Sequence, residues 1–286
     1  MPIDPALAIG ADLGEVRFAW TPSDVLLYHL ALGAGADPVD ERELRYTYEQ
    51  DLRVIPTFAT VAVNLRTFTP PALKFPGVDI DLAKVLHGTQ EIELHRPIPV
   101  DGEAVARTRI TDVFDKGKAA VLVQETTVAD TQGDPLWTAR SGIFARGEGG
   151  FGGERGPSRK LAWPEREPDA VLDTPTLPQQ ALLYRLCGDR NPLHADPAFA
   201  KAAGFDRPIL HGLCTYGVVA KALTDAFLDG DPTRIHSFGT KFAGVVFPGE
   251  PLRTRVWRES DRLLVTTTAP ERDDAPVLSD TVLVPH

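Results

Sequence analysis

Apolar residues alternate with polar ones in eight short runs, and this period of two is typical of half-buried β-strands. Val, Ile and Thr supply most of the apolar positions in these runs. The predicted strands are residues 59–65, 89–95, 104–113, 119–128, 235–242, 252–259, 262–268 and 277–284. Four runs fall in each half of the chain, so the pattern predicts two β-rich units.

Helical spacing of apolar residues occurs in three other segments. Residues 22–34 and 178–186 each carry a proline in the first turn, where the missing N–H costs nothing. Residues 213–228 are apolar on most faces and end at Asp229-Gly230. We expect this third helix to be buried within its unit.

Short strings recur in the same order in both halves, which indicates an internal repeat. Leu-His-Gly occurs at residues 86–88 and 210–212, and a Gly-Glu pair precedes a predicted strand at 102–103 and 249–250. Glycine is concentrated between the halves. The sequence predicts an α+β fold with one unit over 1–150, a linker over 151–165 and a second unit over 166–286.

The repeats differ in the spacing of their strings. Gly102 follows Gly88 by 14 residues, whereas Gly249 follows Gly212 by 37 residues. The longer interval accommodates the helix over 213–228, and the shorter one does not. We therefore expect the first unit to lack a full central helix and to leave an apolar groove, covered at most by the irregular 66–84 segment with Pro70, Pro71 and Pro76.

Charge and composition narrow the classes of partner. The chain of 286 residues has a net charge of -10, which disfavours nucleic acid and anionic membranes. No apolar run approaches the roughly 18 residues that a membrane-spanning helix needs. Cys187 and Cys214 are the only cysteines, and the N-terminus does not resemble a signal peptide. These features predict a cytoplasmic protein.

The densest group of polar, turn-forming residues is the segment 187–196. Asp189 and His194 lie five residues apart, and a turn at Asn191-Pro192 can direct both side chains to one point. A carboxylate and an imidazole that converge on a water can remove one proton and deliver another. The alternative is that Asp189 or Asp196 only caps a helix. A metal site that adds His211 or His87 is disfavoured, because the familiar ligand spacings are absent.

A second candidate segment, residues 208–212, directly precedes the long predicted helix. Gly212 can offer a free backbone N–H with the positive end of the helix dipole behind it. Such a group can stabilise negative charge on a carbonyl oxygen. An ordinary helix start that tolerates glycine is the alternative.

The segment 184–194, Tyr-Arg-Leu-Cys-Gly-Asp-Arg-Asn-Pro-Leu-His, resembles the signature loop of the type-2 enoyl-CoA hydratases, the MaoC-like members of the hot-dog superfamily. Other strings are similar to the hydratase part of peroxisomal multifunctional enzymes. They occupy residues 83–88, 115–117, 150–153, 203–206, 208–215 and 247–249. The resemblance extends from about residue 20 to the C-terminus.

The resemblance implies a double hot-dog fold and reversible hydration of trans-2-enoyl-CoA to (3R)-3-hydroxyacyl-CoA, without a metal or a redox cofactor. Asp189 and His194 would hold the catalytic water, Asn191 would orient them, and Gly212 N–H would polarise the thioester carbonyl. The substrate contacts of the family fall on His87, Gly88, Lys116 and Phe242.

Other activities stay open from the sequence. A hot-dog thioesterase would direct the water at the thioester carbonyl, and a non-catalytic acyl-CoA-binding protein would need neither Asp189 nor His194. The acyl group could be a fatty chain or a sterol side chain. The first unit lacks a histidine in residues 33–38, its counterpart of the signature loop, so we expect one active site per chain. A monomer and a homodimer are both compatible with the sequence.

Overall fold

The computed structural model describes residues 3–69, 73–157 and 161–286. Within these ranges the α-helices are α1 (Pro5–Ala8), α2 (Pro22–Ala31), α3 (Leu44–Thr47), α4 (Gln180–Tyr184), α5 (Pro197–Ala202) and α6 (Gly212–Phe227). Short 3-10 turns connect several of them. Only α2 and α6 exceed two turns, and none of the helices in the described ranges is long and apolar enough to cross a membrane.

Most of the strands in the described ranges join one antiparallel sheet. The strands are β1 (Asp12–Trp20), β2 (Leu73–Phe75), β3 (Val78–Ile80), β4 (Val85–Leu94), β5 (Gly102–Asp115), β6 (Ala119–Asp130), β7 (Pro135–Arg146), β8 (Ala170–Thr174), β9 (Ile235–Phe242), β10 (Leu252–Arg258), β11 (Leu263–Ala269) and β12 (Ala275–Pro285). The sheet order is β1-β5-β6-β7-β4-β9-β12-β11-β10-β8, and β2 pairs only with β3.

The two halves of this sheet have the same topology in mirror order. The first half runs β1-β5-β6-β7-β4, and the second, read from its outer edge, runs β8-β10-β11-β12-β9. Strands β4 and β9 join the halves through aligned pairs from Thr89 with Lys241 to Glu93 with Ser237. The expected double hot-dog architecture, two sheets of one chain paired edge to edge, is confirmed.

Helix α6 occupies the interior of the second unit, as the apolar run predicts. Gly217 in this helix marks a close approach to α2, because a Cβ there would lie 2.6 Å from Leu32 Cδ2 and 2.9 Å from Tyr28 Oη. The absence of a side chain at Gly217 therefore lets helices from the two units cross in contact.

The first unit has no counterpart of α6 in the described residues. Between α2 and β4 the longest regular helical piece is a 3-10 turn over Pro56–Thr60, followed by a second turn over Ala62–Asn64. The expectation that this unit lacks a full central helix is confirmed. The turn over Pro56–Thr60 contacts β4, β7 and α6, and Phe58, Val61 and Leu65 are buried there. The expected groove for a ligand on this unit stays a prediction.

The strand predicted over 59–65 is wrong, because these residues form two 3-10 turns instead, Pro56–Thr60 and Ala62–Asn64. Ala59, Val61, Ala62 and Leu65 are all buried, and the residues before them from Val54 to Phe58 are buried as well. A segment buried on nearly every side has no face that distinguishes a strand from a turn by period.

The two Leu-His-Gly strings are not structurally equivalent, although the sequence suggested so. His87 and Gly88 lie inside β4, whereas His211 and Gly212 begin α6. The counterpart of β4 is β9. The interval 88–102 therefore contains only part of β4, whereas the interval 212–249 contains both α6 and β9. The evidence that the first unit lacks a central helix is instead the set of elements observed between α2 and β4.

Several strands were not predicted from the sequence pattern. They are β1, β7, β8 and the β2–β3 hairpin, the last within the 66–84 segment that we expected to be irregular. Residues 70–72 of that segment, which include Pro70 and Pro71, and residues 158–160 of the predicted linker lie outside the described ranges. The other seven predicted strands and the three predicted helices are present with shifted ends.

Candidate active site

The predicted catalytic loop is built from two capped turns. Helix α4 continues into a 3-10 turn over Arg185–Cys187, which ends at Gly188 with a φ of 110°. Asn191 then caps the turn Pro192–His194, since its side-chain oxygen accepts the Leu193 N–H at 3.0 Å. The glycine permits the reversal and the proline stiffens the second turn, so the loop is held rigidly.

Gly188 lies against the backbone of the first unit. A Cβ at this position would lie 2.0 Å from the carbonyl oxygen of Asn64. Next to it, the Arg190 Nε–H donates to the carbonyl oxygen of Thr67 at 3.3 Å, and the Arg190 guanidinium lies 5.3 Å from the centre of the Phe68 ring. We call residues 64–68 the clasp, because they hold the catalytic loop from outside its own unit.

Asp189 and His194 converge as the turn predicts, and His211 joins them. One carboxylate oxygen of Asp189 and one ring nitrogen from each histidine all lie within 4.8 Å of one another. His194 and His211 are buried, and Asp189 is half-buried. The sequence disfavoured a metal site here, because no familiar ligand spacing relates His211 to a loop some twenty residues earlier, and it assigned His211 no role of its own.

The tautomer of His194 is set by one hydrogen bond. Its Nδ1 lies 2.9 Å from the carbonyl oxygen of Ile209, which can only accept, so Nδ1 carries the proton and Nε2 presents a lone pair. Burial lowers the pKa of His194, while the negative charge of Asp189 and the Ile209 carbonyl oppose the shift. The ring is therefore neutral near pH 7 and ready to accept a proton.

Asp189 and Asp196 have different tasks in this loop. Asp189 Oδ1 accepts the backbone N–H of Asn191 at 3.1 Å, which fixes the carboxylate towards the cluster. Asp196 accepts the N–H groups of Ala198 and Phe199 and caps α5. The capping alternative thus holds for Asp196, whereas Asp189 faces the two histidines.

Gly212 begins α6 directly after His211, as expected for a group that could bind a carbonyl oxygen. The ring of Phe242 packs on it, since a Cβ at Gly212 would lie 3.0 Å from Phe242 Cδ1. Phe242 in turn meets His87 edge to face, with 5.0 Å between ring centres. Gly88 lies at a β-bulge between His87 and Thr89, where the register with β7 shifts.

His87 completes this side of the site. Burial lowers its pKa to about 4, against the opposing charge of Asp189. His87 is thus a neutral ring close enough to the cluster to sense the carboxylate. The structure therefore brings together seven of the eight residues singled out in the sequence: Asp189, Asn191, His194, Gly212, His87, Gly88 and Phe242.

Lys116 is the residue that lies apart. It follows β5, its N–H donates to Ala119 at the start of β6, and its ammonium contacts the Phe114 ring and the Arg155 carbonyl oxygen. Strands β6 and β7 separate it from β4, a lateral distance of about 14 Å. Lys116 can meet a distant part of a substrate but not its reacting carbons.

The glycine-rich segment after β7 is folded against this same turn. Asp115 accepts backbone N–H groups from Gly117, Gly150 and Gly152 at 2.7 to 2.9 Å. These donors, with that of Gly150 first, hold the pKa of Asp115 below its usual range. The beginning of the predicted linker is therefore part of the Lys116 turn.

Comparison with known proteins shows that this two-unit hot-dog chain, with an Asp–His pair beside a helix N-terminus, belongs to the class of MaoC-like proteins. The MFE-2 hydratase 2 N-terminal domain model matches residues 18–147, and the MaoC like domain model matches residues 160–274.

Similar proteins cover the whole chain. It is 56% identical over 285 residues to enoyl-CoA hydratase ChsH3 of Mycobacterium tuberculosis, with both chains fully covered. It is 42% identical to the peroxisomal enoyl-CoA hydratase 2 of Arabidopsis thaliana, covering 93% of this chain and 91% of that one. The crystal structure of a MaoC-like dehydratase from Phytophthora capsici superposes with a TM-score of 0.84 at 32% identity, covering 97% of this chain and 96% of the other. The chain belongs to the MaoC-like family of type-2 enoyl-CoA hydratases.

Proposed function

We propose that this enzyme is a hydro-lyase that adds water reversibly to trans-2-enoyl-CoA and forms (3R)-3-hydroxyacyl-CoA. The observation that carries the proposal is the convergence of Asp189 and His194 within 4.8 Å, beside the N-terminus of α6. Family membership supports the substrate class and the stereochemistry of the product.

The geometry supports a single water as the source of both added atoms. As the water oxygen bonds to C3, one water proton passes to the Asp189–His194 pair, in which the His194 Nε2 has a free lone pair. The electrons of the C2–C3 double bond move towards the thioester carbonyl. The pair then returns a proton to C2, so one water is added and no electrons are gained or lost.

The carbonyl oxygen becomes negative during this step, and Gly212 can stabilise it. The N–H of Gly212 is at the first position of a helix of sixteen residues, where backbone donors are unpaired and the helix dipole is positive. Phe242 and His87 close the other side of this position. Excluding bulk water strengthens such electrostatic stabilisation.

Lys116 is proposed to bind the CoA part of the substrate. The turn is about 14 Å from β4 by strand spacing, which suits contact with the pantetheine or nucleotide end rather than the acyl end. It also supplies a local positive charge for an anionic ligand, which the net charge of -10 otherwise disfavours. The proposed reaction needs no metal or redox cofactor, because its proton transfers use side chains alone.

The test is an assay with trans-2-hexenoyl-CoA that follows three signals at once. We expect the conjugated enoyl absorbance to fall, chiral analysis to give the (3R) alcohol, and a thiol reagent to detect no free CoA. Release of free CoA with the acyl double bond intact would show a thioesterase instead. Tight binding of the enoyl-CoA with no change in any signal would show a non-catalytic binding protein.

A further inference from the structure

His211 is the one member of the polar cluster to which the proposed reaction gives no task. The residue is 1% exposed, and neither ring nitrogen makes a hydrogen bond of normal distance and angle in the described residues, although the backbone of Asp189 is close enough to affect its pKa. Burying an imidazole without partners costs free energy, so such a group in a folded protein calls for a functional explanation.

The ring of His211 is stacked between two others. Its centre is 3.7 Å from that of His194 at an interplanar angle of 28°, and 4.9 Å from that of Tyr184. The stack keeps both imidazoles in nearly parallel planes, and one nitrogen of each ring lies within 4.8 Å of an Asp189 carboxylate oxygen. Contact with two rings therefore restrains the orientation of His211.

The dimensions of the cluster suit a water molecule. Three atoms that are all within 4.8 Å of one another can each lie about 2.8 Å or less from a common point, which is hydrogen-bond distance to a water oxygen. A buried water typically takes about three such partners. Asp189, His194 and His211 supply that number.

A metal ion fits the same three groups less well. Zinc binds imidazole at about 2.0 to 2.1 Å, which requires ligand atoms about 3.4 Å apart with converging lone pairs. Two rings stacked with their centres 3.7 Å apart satisfy the short, in-plane contacts of a metal ion less readily than the longer and more tolerant hydrogen bonds of a water.

We propose that His211 is a third catalytic residue, which holds the attacking water together with Asp189 and His194. This proposal rests on the proposed hydratase function. Because His211 and Gly212 are consecutive, one step of the chain places the water next to the group that binds the carbonyl oxygen. The C3 atom of a conjugated enoyl thioester lies two bonds from that carbonyl carbon, so the arrangement directs the water at C3.

The test compares His211→Phe with His211→Gln in the full chain. Phenylalanine keeps the aromatic stack but loses both nitrogens, whereas glutamine keeps a polar group at a similar reach. We expect H211F to lower kcat on trans-2-hexenoyl-CoA at least about thirtyfold with KM within about threefold, the pattern of a lost transition-state contact. H211Q should retain at least ten times the kcat of H211F.

The possible results distinguish failure of the His211 proposal from failure of the proposed hydratase function on which it rests. If wild-type protein does not hydrate enoyl-CoA, the proposed function fails. If the wild type is active and folded H211F keeps more than half of its kcat, His211 only stacks, and the present proposal is wrong. Should H211F lose its cooperative thermal transition, His211→Ala replaces it, and equal kcat values for H211Q and H211A would overturn the proposal.

Discussion

Two side chains of one short turn carry the proposed proton transfers, and their environments differ. Asp189 is half-buried and held by the Asn191 N–H, whereas His194 is buried and held by the Ile209 carbonyl. The neutral His194 can accept a water proton while Asp189 remains charged beside it. Because both groups act on the same water, neither can compensate for the loss of the other.

We predict that Asp189→Asn and His194→Gln each lower kcat at least about a hundredfold, and that the double variant is little worse than the poorer single one. Loss of the enoyl absorbance at saturating substrate measures the effect. Asp196→Asn is the matched control, because it removes the same charge from the same loop but keeps an N-cap side chain. A folded D189N or H194Q variant with more than a tenth of wild-type kcat would contradict the assignment.

The backbone carbonyl of Asn64 leaves no room for a side chain at Gly188. We predict that Gly188→Ala destabilises the protein by at least about 3 kcal/mol and abolishes activity, since the residue has positive φ and its Cβ would overlap the Asn64 carbonyl. Urea unfolding measures the change. Gly204→Ala is the control, because its φ is also positive but no atom lies within 4 Å, so only about 1 kcal/mol of backbone strain is expected. Equal losses of unfolding free energy in the two variants would show that packing of Gly188 against the clasp does not contribute to stability.

At the scale of elements, helix α2 is tied to the irregular segment before β4 by one buried histidine. His29 Nδ1 donates to the Tyr46 carbonyl at 2.9 Å, and its Nε2 accepts the Ile55 N–H at 3.1 Å. This pairing allows one neutral tautomer only. Burial lowers the pKa of His29 to about 4.

Stability should therefore fall as the solution is acidified. Between about pH 6.5 and 4 the unfolded chain binds a proton at this site that the folded chain does not, so stability is present above pH 6.5 and is lost towards pH 4, by up to about 3 kcal/mol. We predict that His29→Gln lowers the slope of unfolding free energy against pH by up to about 1.4 kcal/mol per unit in this window. An unaltered slope in H29Q would show that His29 is protonated in the folded state.

The turn between β5 and β6 provides a prediction on substrate binding. Replacing Lys116 by Ala should raise KM for enoyl-CoA several-fold with kcat nearly unchanged, because binding far from the reacting carbons stabilises substrate and transition state alike. High salt should weaken enoyl-CoA binding by the wild type more than binding by the variant. Lys74→Ala, which removes an equal charge from the β2–β3 hairpin, should leave KM unchanged. A fall in kcat for K116A would place Lys116 near the reaction.

The elements that could be predicted from the sequence are those with a regular pattern of their own. The buried helix α6 and the strands β9 to β12 follow their apolar periods closely. The turns over 56–64 were not predicted, because nearly all of their residues are buried and no period separates a turn from a strand. Strand β1 was missed because most of its side chains are exposed and give no apolar face. At the site, the Asp189–His194 pair is encoded in one short turn, whereas the clasp and His211 depend on contacts between distant segments.

At the scale of the whole molecule, the two units form one structure rather than two independent ones. Strand β4 pairs with β9, Gln180 in α4 donates to the Ala31 carbonyl at the end of α2, and the clasp holds the catalytic loop. Apolar residues of both units belong to one continuous core. The second unit contains the proposed proton-transfer groups, but the first contributes to the position of every segment that carries them.

We predict that the chain unfolds in a single transition and that residues 166–286 alone do not hydrate enoyl-CoA. Without the first unit the β9 edge and the face of α6 that contacts α2 would be exposed, and Gly188 would lose the backbone against which it packs. Fluorescence and circular dichroism should give coincident urea transitions, as expected for one cooperative unit. The matched control is the same fragment mixed with residues 1–150, which should recover part of the activity if the two pieces can reassociate. Two separate transitions, or an isolated second unit with more than about a tenth of wild-type kcat, would show that the joined sheet and the clasp are dispensable for the site.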